Sequence, residues 1–299
     1  MTSSQTQATS DNDSVSKDAG ADTPGDITDV SDITDVSNNA DTSYLDYRPE
    51  GDGAGVEIDG VPNSRGIGGY PTQDGRKLRD GLFFRAAGLN FLGEHGVDDL
   101  RRLDIKEVVD LRDPLEIKQW PYTLPDDIHV DRVPLLKTSM SVLGGMKKVA
   151  KGIDMAEMYH DIVFGSAEQI VLILRKLLKD DGHPMLIHCT AGKDRTGITA
   201  GILMSLLGVS DDMVVSCYAQ SGANLGAAFK KTVMKGLTND EKGVGRISAA
   251  QTAMLASPPE LMRGVLAGIK DEYGSVEQYC LQNGMSEDEV AGLRALFLE

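Results

Sequence analysis

Ten residues, His188-Cys189-Thr190-Ala191-Gly192-Lys193-Asp194-Arg195-Thr196-Gly197, separate the apolar run Met185-Leu186-Ile187 from an apolar-periodic stretch over 198–207. A short apolar run, a glycine-containing turn and then a 3.6-residue period read as strand, tight loop and helix. That order constrains the chain to an α/β fold, in which ligand loops sit at the carboxyl ends of parallel strands. A loop that ends on a helix N-terminus aims several backbone N–H groups at one point and adds the positive end of the helix dipole. An anion of phosphate size fits there, with the Cys189 sulfur beneath it and the Arg195 guanidinium clamping two of its oxygens. The chemistry this permits is thiolate attack on phosphorus.

Background residue frequencies give H-C-x-x-G-x-x-R-[ST]-G an accidental rate on the order of one in a few hundred thousand for a chain of this length. Free cysteine is ordinarily a small core hydrophobe, which is the reading for Cys217 and Cys280. At Cys189 that reading leaves the coincidence of Gly192, Arg195, Thr196 and Gly197 without a reason, so Cys189 is taken as the nucleophile. An unperturbed thiol loses its proton near pH 8.5, and backbone amides, the helix dipole and Arg195 all favour the anion. Cys189, Thr190, Ala191, Gly192, Lys193, Asp194 and Arg195 are the expected phosphate cradle. Thr196 either returns a hydrogen bond to the departing sulfur or caps the helix. His188, on the strand, is expected to bond the loop backbone and not to act as a base. Asp110, in Val108-Val109-Asp110-Leu111-Arg112, is either a second proton donor or the ion-pair partner of Arg112.

The loop Cys-x-x-Gly-Lys-Asp-Arg-Thr-Gly resembles that of the cysteine-dependent protein tyrosine phosphatase superfamily, in the bacterial and fungal branch active on phosphotyrosine, phosphoserine/threonine and phosphoinositides. Further segments similar to that branch are 63–70 (NSRGIGGY), 74–76 (DGR), 81–85 (GLFFR), 108–112 and 273–279 with Leu293-Arg294, so the likeness runs from about Val56 to the C-terminus. It implies a three-layer sandwich around a small, largely parallel sheet, a phosphocysteine intermediate, and Asp194 as the leading general acid. It also places Lys193 where an ammonium could meet a second phosphate on an inositol ring, with solvation as the plain alternative. One departure stands out: the branch usually has Asn-x-Arg-Asp before Gly-Gly, and here the Asp is Gly66. The Trp-Pro-Asp acid loop of the better-known tyrosine phosphatases has no clear match, since Trp120-Pro121 is followed by Tyr122. The expected substrate is a phosphorylated protein, with a phosphoinositide as the alternative. A non-catalytic phosphate-binding module and a rhodanese-type sulfur transferase remain as other classes.

Composition bounds the rest. Residues 1–50 hold eleven acidic residues against Lys17 and Arg48, a net of −9 out of −16, so the remainder carries −7. With Asp26-Ile27-Thr28-Asp29-Val30-Ser31 repeated over 32–37, this segment lacks the apolar surface to offset ordering and is expected to be a disordered acidic tail ahead of a phosphatase domain over 51–299. The acidic balance argues against nucleic acid as a partner. Three cysteines without paired spacing argue for a reducing, cytoplasmic setting, with export by a route lacking a signal peptide left open. No membrane span, cofactor or metal is expected, and a monomer is.

Strands are expected at Phe83-Phe84, Val108 to Leu111, Ile128 to Leu135 and Met185 to His188, with a helix across Phe91 to Leu103. Ser166 with Gln169 reads as a capping box for a helix to Leu178; Ser210, Pro259 and Val276 open further helices, and Ser286 with Glu289 caps the last. Residues 137–165, irregular and rich in Lys, Gly and Met, are expected to form a lid. Basic residues follow at Lys230, Lys231, Lys235, Lys242 and Arg246.

Overall fold

The computed structural model describes residues 42–135, 155–226, 229 and 256–299. A five-stranded sheet has the order β1-β2-β5-β3-β4, with β1 (Arg65–Gly66), β2 (Phe83–Ala86), β3 (Glu107–Asp110), β4 (His129–Arg132) and β5 (Met185–His188). Only the β1–β2 pairing is antiparallel. Around it lie α1 (Gly96–Arg102), α2 (Pro114–Gln119), α3 (Met155–Gly165), α4 (Ala167–Lys176), α5 (Asp194–Leu206), α6 (Asp211–Ala219), α7 (Pro259–Tyr273), α8 (Val276–Gln282) and α9 (Glu287–Phe297).

The pleat explains why these strands read as unbroken apolar runs. Phe83, Val109, Met185 and Ile187 face one core with residues of α3 to α9, while Phe84, Ala86, Val108 and Leu186 face another with Ile58, Val61 and Leu100. Both faces are covered, which is the three-layer arrangement. Helix α5 is buried on nearly all sides, and Gly201 lets it approach α7: a methyl there would lie 3.2 Å from the Met262 sulfur.

Several boundaries differ from expectation. The helix expected from Phe91 begins only at Gly96, behind a 3-10 turn at Leu89–Phe91. The strand expected over 128–135 is paired only across His129–Arg132. Ser166 sits at the N-cap of α4 but makes no cap; its hydroxyl donates to Leu135 O at 3.1 Å, so a long-range bond displaces the local one. Ser210 likewise precedes α6 without a side-chain cap. Ser286 and Glu289 do form the reciprocal capping box. Residues 42–50, assigned to the tail, are folded onto the domain: Ser43–Asp46 is a 3-10 turn, the Tyr47 ring lies 5.8 Å from that of Tyr70, and Gln220 donates to Tyr47 O at 3.3 Å. Aromatic anchors at 44 and 47 override the acidic composition there. The tail up to 41, residues 137–154 of the expected lid and the basic residues at 230–246 lie outside the described residues. Residues 155–165 are helix α3, with Tyr159, Ile162 and Val163 in the core, so that part of the expected lid is a packed element.

Candidate active site

Cys189 follows β5 directly and is 2% exposed. The five carbonyls from 189 to 193 all have donors. Cys189 O lies 3.3 Å from His188 Nδ1, and Thr190 O accepts from the Gly88 amide at 3.2 Å. Ala191 O and Gly192 O accept from Asn63 Nδ2 at 3.1 and 2.9 Å, and Gly192 O also from Arg85 Nη2 at 2.7 Å. Lys193 O accepts from the Gly197 amide at 2.9 Å. A planar trans peptide points its N–H opposite to its C=O, so fixing these carbonyls turns the following amides the other way. The amides of Thr190, Ala191, Gly192, Asp194 and Arg195 donate to no described residue. Such a row of unspent donors at the start of a 13-residue helix is a nest for an anion. Gly192 makes the turn possible, with φ +62 and a position where a methyl would lie 2.2 Å from Ala86 O.

The scaffold beneath the loop explains two motifs that had no role from sequence. Asn63, itself at φ 64, receives a hydrogen bond from Arg65 on its own side-chain oxygen. Arg65 also donates to Cys217 O and Ser221 Oγ at 2.9 and 3.0 Å, and Arg85 reaches Ser221 Oγ at 3.2 Å and the Cys217 sulfur at 3.9 Å. Burial pushes Arg85 down to about 10, with Arg65 adding to the effect. Burial alone would raise the Cys217 thiol, but the two guanidinium groups outweigh it and hold it below its usual value. Cys217 is therefore more than the plain core hydrophobe expected, whereas burial pushes Cys280 up to about 12. At Gly66, the position of the missing Asp, a methyl would lie 2.0 Å from Asp52 Oδ1. Asp52 accepts the amides of Gly68 and Gly81 at 2.8 and 2.5 Å, so residue 52 supplies a carboxylate to that space.

Sequence reading missed Glu116. Its carboxylate takes Arg195 Nη1 at 2.6 Å and Nη2 at 2.8 Å, and it also receives the Thr190 hydroxyl at 2.6 Å. Burial would raise its pKa, but Arg195 and Thr190 bring it down to about 2. The fork of Arg195 is thus turned by a fixed anion, and its Nε–H bonds no described residue. Glu116 is held in turn by a capping box with Asp113 at the start of α2. The Asp-Pro-Leu-Glu spacing announced that box; only the tertiary fold brings it to Arg195. Thr196 Oγ1 is buried and has no hydrogen-bond partner among the described residues.

The two acid candidates differ. Asp194 is 23% exposed, and its Oδ1 receives the Tyr159 hydroxyl and lies 3.2 Å from Lys193 Nζ. Asp110 is 1% exposed and bound by Arg112 through Nε at 2.9 Å and Nη2 at 2.8 Å, with the backbone amide of 112 at 3.1 Å. Burial opposes its charge, but the Arg112 guanidinium and its hydrogen bonds prevail and keep its pKa low. This is the geometry of the ion-pair reading. Lys193 does not project into solvent: it is 1% exposed, with Nζ 2.6 Å from Ala256 O, which corrects the solvated-charge alternative. His188 Nδ1 faces Cys189 O, so it carries the proton and Nε2 accepts from Tyr122 Oη at 2.9 Å. Glu107, His129 and Asp131 could converge on a cation, but Lys176 already bonds both carboxylates, and Glu107 and His129 begin their strands, at the opposite ends from Cys189.

A family model described as the tyrosine phosphatase family matches residues 56–299. A putative tyrosine-protein phosphatase of Cupriavidus necator is 28% identical over 249 residues, covering 81% of this chain and 88% of that protein. A tyrosine-protein phosphatase of Nostoc commune is 30% identical over 255 residues, covering 81% and 82%. The triple specificity protein phosphatase PtpB of Mycobacterium tuberculosis is 26% identical over 275 residues, covering 81% and 98%.

Proposed function

The chain belongs to the tyrosine phosphatase family, and from that premise we propose that it hydrolyses phosphoprotein monoesters, phosphotyrosine foremost, through a phosphocysteine on Cys189. The observation that carries this reading is the row of loop amides left unspent because the carbonyls of 189–193 are tied to Asn63, Arg85, His188, Gly88 and Gly197. Those donors, with the Glu116-oriented fork of Arg195, meet the charge that develops on the equatorial oxygens. The Cys189 thiolate attacks phosphorus in line while the P–O bond to the leaving group breaks. The leaving oxygen keeps the bond pair and takes a proton from Asp194. Water then attacks the phosphocysteine, returns a proton to Asp194, and the sulfur leaves as thiolate beside the Thr196 hydroxyl. Asp110, closed off by Arg112, takes no part in proton transfer.

Turnover of p-nitrophenyl phosphate under reducing conditions tests the reaction. Cys189→Ser is expected to lower kcat by roughly four orders of magnitude or more, and a variant as active as the parent ends the covalent mechanism. A wild-type protein that binds phosphate without producing colour supports the binding-module reading instead.

The substrate class rests on Lys193. A phosphoinositide reading wanted its ammonium in the mouth of the site, and the inward turn onto Ala256 O and Asp194 favours phosphotyrosine. The name of the Mycobacterium tuberculosis relative, a triple specificity protein phosphatase, supports a range wider than one phosphorylated side chain. Phosphopeptides assayed beside each phosphoinositide isomer decide between the two. The proposal includes a reducing compartment, which the three free cysteines support, and a monomer. No helix of the described residues is long and apolar enough to cross a membrane.

A further inference from the structure

The acid role proposed for Asp194 raises a question that the loop alone does not answer: which of its two oxygens carries the proton, and what aims it. Among the described residues the carboxylate's two polar contacts fall on Oδ1, one from the Tyr159 hydroxyl of α3 and one from Lys193 Nζ at 3.2 Å, and Oδ2 accepts from none of them. Tyr159 is backed by Tyr218 of α6, hydroxyl to hydroxyl at 2.6 Å, with the rings edge to face at 88°. Because Tyr159 gives its only hydrogen to a carboxylate, Tyr218 must be the donor in that second bond. The chain of hydrogen bonds therefore runs in one direction, Tyr218 to Tyr159 to Asp194 Oδ1. The two rings are 1–2% exposed. Burial, with the Asp194 charge second, pushes both phenols above their usual value, so both remain O–H donors throughout the working range.

The placement depends on helices remote in sequence. Tyr159 comes from α3, whose Ile162 and Val163 are fixed in the core. Tyr218 packs close against residue 197: a methyl there would stand 3.0 Å from Tyr218 Cδ2, and the ring would have to give way by a few tenths of an ångström. Asp194 and Gly197, three apart, share one face of α5. The glycine at the end of the Cys-x5-Arg-Thr-Gly run thereby admits the phenol that steadies the aspartate one turn earlier.

We infer that Tyr159, seconded by Tyr218, is a positioning residue that occupies Asp194 Oδ1 and so assigns the transferable proton to Oδ2, facing the leaving oxygen. This rests on the reading of Asp194 as general acid. In the first step the Oδ2–H bond breaks as the leaving oxygen gains the proton; in the second, Oδ2 regains one from the attacking water. The phenolic protons stay in place in both. The Tyr159 hydrogen bond and the nearby Lys193 ammonium draw the carboxyl's electron density to Oδ1 and prevent the group from flipping its acidic oxygen away from the substrate.

A series of aryl phosphates with leaving phenols of rising pKa tests this, using kcat/KM, which reports the steps up to and including phosphocysteine formation. Protonation matters little for a dinitrophenolate and much for a phenolate. Wild-type enzyme is expected to show a shallow dependence and Asp194→Asn a steep one, with a loss on the order of a hundredfold or more at phenyl phosphate. Tyr159→Phe, which removes a hydroxyl and keeps the ring, is expected to lie between, at about tenfold on phenyl phosphate and near parity on the dinitrophenyl ester. Tyr218→Phe should steepen the series in the same sense and less. A steep Asp194→Asn series beside a Tyr159→Phe series that is unchanged, or lowered equally at every ester, overturns the inference alone. A shallow Asp194→Asn series instead removes the acid assignment on which it rests.

Discussion

At the scale of the residue, the site is organised by fixing charges before substrate arrives. Arg195 and Glu116 are 3% and 0% exposed and bound in a two-point fork. Taking away one member of such a pair strands the other, which costs about 3–5 kcal/mol. Glu116→Gln keeps the shape, leaves the guanidinium with half its partner, and is expected to destabilise by an amount in that range in urea unfolding. The same variant should lose about a hundredfold in kcat/KM, since the fork no longer has a set orientation. A variant of normal stability that binds inorganic phosphate as tightly as the parent would show that Arg195 orients itself. Asn63 works in the same way on the backbone, by holding two carbonyls and leaving the amides to the anion.

At the scale of the element, two capping boxes of equal chemistry have unequal consequences. In α2, Asp113 Oδ1 accepts the amides of Leu115 and Glu116 at 2.7 and 3.0 Å, and Glu116 answers with a bond to the Asp113 amide. In α9, Ser286 and Glu289 make the same exchange far from the loop. Removing either N-cap side chain costs about 1 kcal/mol. Asp113→Ala and Ser286→Ala should therefore show similar drops in thermal midpoint, with kcat/KM reduced only in Asp113→Ala, because its box also aims Glu116. Equal activity in the two variants would make the α2 cap a matter of folding alone. Helix α5 plays the other role of an element, a rigid buried rod whose first turn supplies Asp194 and Arg195 and whose glycines let α6 and α7 close on it.

At the scale of the whole molecule, parallel strands bring residues distant in sequence to one edge. The register pairs Asp110 with His188, so the buried aspartate, the histidine and Cys189 meet where β3 and β5 end. His188 is held neutral: burial, with Arg112 and Arg195 adding, outweighs the attraction of Asp110 and lowers it to about 4. An unfolded chain binds that proton near 6.5, so the stability present above pH 6.5 is lost as the pH falls toward 4. The loss amounts to about 3 kcal/mol. His188→Gln should show a flatter fall in unfolding free energy over that window. A parent and variant with parallel curves would assign the acid sensitivity to other groups.

Much of this was legible from one dimension. The strand, loop and helix around Cys189, the helices from Pro259 and Val276, and the box at Ser286 are local: each follows from the period of apolar residues or a cap within four positions, and neither signal needs a partner elsewhere. The motif glycines at 192 and 197 could be seen, but not why they are glycine. That depends on Ala86 and Tyr218 arriving from other elements. Glu116 on Arg195, Asn63 and Arg85 under the loop, the inward turn of Lys193 and the phenols on Asp194 were beyond reach of the sequence, because a side chain's charge partner is chosen by packing across the sheet, and spacing along the chain carries no record of it. The reacting atoms were written in ten consecutive residues; what holds them to a single geometry was decided by strands and helices that meet only when the chain folds.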